Sequence, residues 1–447
     1  MSFWKIAWRN IWQRALASSL TGLSMALGVA LMILVIVIYD ITVDQFSNDA
    51  QGYHLIVGGS KGGELQLVFS TVFHQGKPLY PIPYSYYEKF TEGEFARYTE
   101  VAVPYCLGDS FQAEDQQFRV VATTPKLFDK IAYGANSDGS EKRYEFQQGK
   151  NFQSGHFFEG VIGSIVARKT GLKVGDKFQP THGMSAEGDK HTGFTVTGIL
   201  APTGTANDRA MFINIEGFFL LEGHALTPEE GEAAHVSVDK LHKDHSADPD
   251  DPNHGMQPLP KSQREVTSIL VVCKDSFGPM ILDSKINKGK DRVAQAVAPA
   301  GVVGRFLEGF VGPVRVVLMV LTVLIVIVAG ISILVSIYNS MSERSHDIAV
   351  MRALGASRPA VMGIILVESI LLSLLGGLVG VFLGHLVLGL AGPLIEARTG
   401  ISLRFWDFNW KESLLIPGLV VFASLVGFLP ALTAYRTDVG RIMGGGR

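Results

Sequence analysis

Gly58-Gly59-Ser60-Lys61-Gly62 matches the G-x-S-x-G pattern that presents a nucleophilic serine on a strand-to-helix turn. A strand is predicted before it, but residues 64–70 alternate like another strand where that turn needs a helix. A glycine-rich turn is therefore expected, and a membrane-anchored hydrolase using Ser60 is the enzyme alternative. His242, His245 and His254 lie among aspartates and prolines in residues 236–262, and imidazoles with carboxylates suit zinc-like ions. No fixed ligand spacing recurs, and Asp248-Pro249-Asp250-Asp251-Pro252 argues for a solvated loop, so these histidines stay candidates and no metal set is assigned. Cys106 and Cys273 could form a disulfide outside the cytoplasm, although each sits in an apolar context suited to a buried thiol. Neither H-E-x-x-H nor Cys-x-x-Cys occurs. Gly76-Lys77, Gly149-Lys150 and Gly289-Lys290 all lack the Ser or Thr of a phosphate loop, so ATP hydrolysis is not expected of these residues.

The elements around these residues are strongly apolar. The 447 residues carry a net charge of -3, with positive mean hydropathy, which fits neither a nucleic-acid binder nor a soluble enzyme. Four apolar blocks, 15–39, 313–341, 359–394 and 413–435, are each long enough to cross roughly 30 Å of hydrocarbon. The first is longer than a signal-peptide core, and no small-x-small cleavage site follows it. Before it, residues 1–14 read as an interfacial helix, with Trp4, Trp8 and Trp12 on one stripe beside Lys5 and Arg9.

Between the first two blocks, residues 40–312 are long enough for a domain of their own. Strands are expected at 53–57, 65–70, 194–200, 266–273 and 294–297, and helices at 84–95 and 277–286. The fold class is a membrane protein of four transmembrane helices, with a large α+β extracytoplasmic domain inserted after the first. Positive charges put residues 1–14, 342–358 and the tail 436–447 on the cytoplasmic side, with the loop 395–412 and the inserted domain outside.

Two polar features interrupt the third block. Glu368 should turn inward to a Ser, Thr or backbone partner in a structural role, because a proton relay would need a chain of groups and only the distant His385 is offered. Gly376, Gly380 and Gly384 recur every four residues and permit close helix contact, as do Ser18, Gly22, Ala26 and Ala30 in the first block. One of these faces is expected to pack within the chain and the other to build a dimer.

Residues 342–358 form a polar, amphipathic bridge between two spans. Read as a helix, they turn Ile348, Val350, Met351, Ala353 and Leu354 toward packing surfaces and leave Glu343, Arg344, Asp347 and Arg352 for a polar partner. Gly355 supplies a helix stop and Pro359 a new start.

The run from Glu343-Arg344 through Asp347-Ile348-Ala349-Val350-Met351-Arg352-Ala353-Leu354-Gly355, with Glu368-Ser369, Gly376-Gly377 and Gly380, resembles the signature of MacB/FtsX-type ABC transporter permeases. The ending Pro430-Ala431 and Ala434-Tyr435-Arg436-Thr437-Asp438 is similar too, as are Ala167-Arg168-Lys169, Gly171-Leu172, Val174-Gly175-Asp176 and Gly198-Ile199-Leu200 in the middle. Asp347 stands where that family usually has Glu, and Val439 where Pro is common.

The resemblance implies an inner-membrane permease with no cofactor of its own and both termini cytoplasmic. It would pair with a second permease chain, as a homodimer, and with two copies of an ABC ATPase that holds ATP and Mg. Glu343, Arg344, Asp347, Arg352 and Gly355 would be its coupling residues, and a periplasmic adaptor or substrate protein its outer partner. Lipoprotein release, handling of a metal or metal complex, and control of a cell-wall hydrolase are the alternatives. The last suits smaller external domains.

Overall fold

A computed structural model describes residues 3–49, 51–113, 116–136, 140–183, 188–224, 226, 253, 256–289, 293–343, 345–399 and 405–436, with backbone only at 47–49, 340–343, 345–347, 396–399 and 434. The chain divides into a membrane unit, Met1–Thr42 with Phe310–Arg447, and an inserted unit, Val43–Gly309.

The membrane unit begins with the helix Phe3–Gln13, which buries Ala7 and Ile11 and leaves Trp4, Trp8 and Trp12 exposed, as an amphipathic headgroup helix would. Four helical segments are long and apolar enough to cross a membrane: Ala15–Phe46, Pro299–Asn339, Arg358–Ile395 and Trp410–Thr433. The two small-residue stripes pack against each other. A Cβ on Gly376 would lie 2.8 Å from the Gly22 carbonyl oxygen, one on Gly380 2.6 Å from that of Ala26, and one on Gly384 3.1 Å from Ile33 Cβ. The expectation that one stripe would be left to build a dimer is therefore corrected. Gly376, Gly380 and Gly384 meet the Ala26 and Ala30 part of the first stripe within the chain, because glycine lets the two backbones approach closely.

The inserted unit is organised on a ten-stranded sheet. Its main path runs Ala294–Val297, Leu55–Gly59, Ser268–Cys273, Thr99–Ala113, Gln116–Thr123, Ala210–Asn214, Glu159–Ile162, Phe194–Leu200 and Phe146–Gly149. Most neighbours are antiparallel. Ala210–Asn214 runs parallel to Gln116–Thr123, and Phe194–Leu200 parallel to Glu159–Ile162. Inward-facing apolar residues of these strands, including Val57, Phe118, Phe194, Met211 and Ile269, form one core with the covering helices. In the Gly171–Asp176 stretch that carries the family resemblance, Gly175 adopts φ +95° and Asp176 Oδ2 accepts the Lys173 N–H at 2.8 Å. It is a turn, built where only glycine is at ease.

One expected strand is a helix. Residues 65–70 lie within the helix Glu64–Thr71, which buries Leu67, Val68, Ser70 and Thr71. In so short a window an apolar pattern fits both periods, and burial of one helical face against the sheet decides between them. Cys106 and Cys273 are both free and buried. Burial pushes the Cys273 thiol up to about 11 and the Cys106 thiol higher still, so neither is a ready nucleophile.

His74 joins two parts of this unit and has an unusual backbone, with φ +55°. Its Nε2 donates to Asn207 Oδ1 at 2.8 Å, and its carbonyl oxygen accepts from Arg119 Nε at 3.4 Å. Burial of the ring lowers its pKa from 6.5 to about 4, with the Arg119 charge acting in the same direction. The folded value lies below the unfolded one, so this contribution is complete above about pH 6.5 and is lost as pH falls toward 4. The shift corresponds to roughly 3 kcal/mol at most. Melting curves between pH 7.5 and 4 should show a steep loss of stability, and His74→Gln should flatten it. An equal slope in the variant would exclude this histidine as the cause.

Candidate functional site

Two regions bring functional groups together. The first is the bridge in the membrane unit. Its helix is Ser345–Ala353, and the next begins at Arg358 with Pro359 in its first turn. Gly355, at φ +99°, closes the first helix: its N–H donates to the Arg352 carbonyl at 3.1 Å, and the Ala356 N–H donates to that of Met351 at 3.0 Å. These paired bonds form a Schellman stop, which needs the left-handed conformation that glycine supplies. Ile348 and Ala349 are buried, Ile348 within the apolar core of the spans. Val350, Ala353 and Leu354 differ from expectation: all three are exposed, Val350 at 37% and Leu354 at 84%. The Schellman turn carries Ala353 and Leu354 past the packed face, and Val350 lies on the side of the helix away from Ile348 and Ala349. Of the expected coupling residues, Arg352 is half-buried and Gly355 exposed. Arg344 and the side chains of Glu343 and Asp347 lie outside the described residues.

Several polar groups inside the membrane unit are paired across helices. Glu368 is buried and accepts from Asn10 Nδ2 at 3.2 Å. That partner lies on the interfacial helix. Ser369 Oγ donates to the Ala423 carbonyl at 3.1 Å. His385 and Glu412 meet at 2.8 Å between Nε2 and Oε2, while Glu412 Oε1 accepts the Asn409 N–H at 2.9 Å and so caps its helix. Lys411 Nζ lies 2.6 Å from Asp40 Oδ2. Glu368 and His385 stand about 25 Å apart along one helix at 1.5 Å per residue, too far to share a proton directly. These pairs satisfy groups that would be costly alone in hydrocarbon.

The second region was not found from sequence. Thr99–Ala113 pairs with Gln116–Thr123, and the register shifts between Leu107 and Ser110, so that Asp109 sits on an irregular stretch of a buried strand. Ser110 then pairs with Thr181 by two backbone bonds of 2.8 and 3.1 Å, and its hydroxyl donates to the Gly183 carbonyl at 2.7 Å. The same loop is closed by His182 N–H to the Asp189 carbonyl and by His191 N–H to the Pro180 carbonyl. His224 follows the helix Ile215–Phe219, its ring 4.1 Å from that of Phe218. Asp109, His182, His191 and His224 thereby bring one ligand-type atom each to within 4.8 Å of one another.

Asp109 is wholly buried, and neither carboxylate oxygen has a hydrogen bond. His224 Nε2 lies 3.2 Å from Oδ1, His182 Nδ1 3.8 Å from Oδ1, and His191 Nε2 3.5 Å from Oδ2. His224 Nε2 is also 3.3 Å from both His182 Nδ1 and His191 Nε2. Burial lowers the His191 pKa, opposed by Asp109 and reinforced by the other two rings. The histidines singled out from sequence, His242, His245 and His254, lie outside the described residues. Density of histidine had drawn attention to them. The available signal for the Asp109 cluster was an aspartate within a largely buried strand.

Ser60 also has a different context from that expected, since a helix does follow its turn. A nucleophilic serine still needs a base. Among the described residues of this unit, all six histidines are engaged elsewhere: His54 with the Cys273 N–H, His74 with Asn207, His156 with Glu159, and three with Asp109.

Four apolar spans and a large mixed-sheet domain inserted after the first define an integral membrane protein with an extracytoplasmic domain. A family model described as FtsX-like permease C-terminal matches residues 319–439, and one described as MacB-like periplasmic core domain matches residues 18–240. The chain belongs to the MacB/FtsX-type ABC transporter permeases. Its relatives include an uncharacterised ABC transporter permease of Methanocaldococcus jannaschii, 36% identical over 120 residues, which are 25% of this chain and 29% of that protein. The macrolide export ATP-binding/permease protein MacB of Rhodopirellula baltica is 28% identical over 150 residues, 32% of this chain and 21% of MacB. The uncharacterised permease YknZ of Bacillus subtilis is 34% identical over 131 residues, 27% of this chain and 30% of YknZ. The chain thus covers less than a third of the length of each of these relatives.

Proposed function

We propose that this permease converts ATP hydrolysis in an ABC ATPase, absent from this sequence, into work by its extracytoplasmic domain on a substrate outside the inner membrane. The observation that carries this reading is the bridge. Its helix is anchored by Ile348 and Ala349, while Leu354 stands 84% exposed beside a glycine stop. An exposed apolar tip beside a charged helix suits a groove on a soluble partner. Glu343, Arg344, Asp347 and Arg352 supply charge-assisted contacts there. Two ATPase copies hold the ATP and Mg, and two permease chains form the complex. The second span is the least buried of the four and is left for lipid or for the second chain.

Both termini and the bridge lie in the cytoplasm in this reading. The direction is export or efflux, by mechanical transmission rather than through a water-filled pore, because the described spans carry few polar groups. Lipoprotein release remains the second reading within the same mechanism. Asp347→Arg in the complex reconstituted with its ATPase should reduce substrate-stimulated ATP hydrolysis and transport by about tenfold or more, as a reversed charge at a paired site costs on the order of 1.4 kcal/mol or above. Wild-type rates for both would remove the bridge from the mechanism.

A further inference from the structure

We propose that the extracytoplasmic domain binds one divalent transition-metal ion of the Zn2+ class through Asp109 carboxylate, His182 Nδ1, His191 Nε2 and His224 Nε2. A tetrahedral ion with bonds of 2.0–2.1 Å holds its ligand atoms about 3.3 Å apart. Around Asp109 Oδ1, His224 Nε2 and His182 Nδ1 lie at 3.2 and 3.8 Å, and His224 Nε2 is 3.3 Å from both other ring nitrogens. His191 Nε2 is 3.5 Å from the second oxygen, Oδ2, and one atom from each residue falls within 4.8 Å of the others. The set is nearly contracted onto an ion before one is added.

Protons satisfy the cluster poorly. His224 Nε2 has three close neighbours, Asp109 Oδ1 and the ring nitrogens of His182 and His191. A ring nitrogen carries at most one proton, so it can donate to only one of them. Asp109 is meanwhile buried with both oxygens lacking hydrogen bonds, an arrangement that is expensive for a lone carboxylate. A divalent cation takes one lone pair from each of the four residues and compensates the carboxylate charge.

The donor set selects the ion. Imidazole nitrogens suit Zn2+, Cu2+, Ni2+ and Co2+, whereas Ca2+ and Mg2+ take oxygen ligands. Four protein ligands also leave no open position for an activated water, which sets the site apart from zinc hydrolases. Access is one-sided: the His182 side chain is 52% exposed, and those of Asp109, His191 and His224 are 0%, 6% and 8%. Three ligands form a fixed cup and His182 closes it, so the ion can exchange.

The inference does not depend on the coupling reading, and its test requires no ATPase. The full chain is purified in detergent, stripped with a chelator and titrated with Zn2+ against a chromogenic competitor, and with Co2+ for its visible spectrum. One ion per chain is expected, together with intense tetrahedral Co2+ bands. Mg2+ and Ca2+ should not compete. Asp109→Asn and His191→Ala should each weaken Zn2+ binding by about 100-fold or more, and His182→Ala by less. His242→Ala, His245→Ala and His254→Ala together should leave binding intact. Asp109→Asn removes a buried charge without changing shape, so its melting temperature in chelator shows whether it is folded. If a variant does not fold, the wild-type Co2+ spectrum decides. The proposal is overturned by weak octahedral bands, by wild-type affinity in folded Asp109→Asn, or by loss of binding only in the triple variant.

Discussion

Gly355→Pro should uncouple the reconstituted transporter, cutting ATP-driven transport by about tenfold or more while the permease is still recovered folded. The native φ is +99°, and proline is held near −65°, so the turn after Ala353 cannot form. The substitution also deletes the N–H that donates to the Arg352 carbonyl. Proline further disfavours the helical region at Leu354, the residue before it and the exposed tip of the bridge. No heavy atom lies within 4 Å of the position a Cβ would take, so the damage is confined to the backbone of the stop. Gly355→Ala should be intermediate, because a left-handed alanine costs roughly 1–2 kcal/mol. Transport and ATPase rates together make the measurement. Wild-type coupling in the proline variant would mean that the bridge geometry does not transmit work.

Gly380→Val is expected to destabilise the membrane unit by about 3 kcal/mol or more, at the upper end for an overpacked contact. Its Cβ would fall 2.6 Å from the Ala26 carbonyl oxygen and 2.7 Å from Val29 Cβ, atoms that cannot move aside without shifting a helix. Valine adds two methyl groups to that clash. Thermal unfolding in detergent and the fraction eluting as a single species would report the effect. Gly418→Ala is the matched control, since a Cβ there meets nothing within 4 Å. A control-like melting curve for Gly380→Val would mean that the first and third spans do not meet along these stripes.

Those stripes show where sequence reading stops. Spacing of four identifies a small-residue face, but not what lies against it. Glu368 is similar: an acid within an apolar span must find a partner, yet Asn10 is 358 positions away in sequence. The bridge was more legible, because a helix stop is local. Gly355 and Pro359 settle it within a few residues, while the exposure of Val350, Ala353 and Leu354 went against expectation. In the inserted domain, 194–200 and 294–297 read directly as strands because alternating burial repeats within them. Residues 65–70 misled because a helix of two turns offers too few positions to establish a period.

What the sequence alone determined is whatever depends on hydrophobicity and short-range backbone chemistry: four spans, an inserted α+β domain, a capped polar bridge and membership of a permease family. What only the tertiary structure decided is which distant groups meet: stripe against stripe, Asn10 with Glu368, His385 with Glu412, and Asp109 with His182, His191 and His224. The reason is range. A helix period or a glycine stop acts over a few residues, whereas a ligand cluster is assembled by sheet register and loop closure, which place a strand bulge, a loop and the end of a helix around one point.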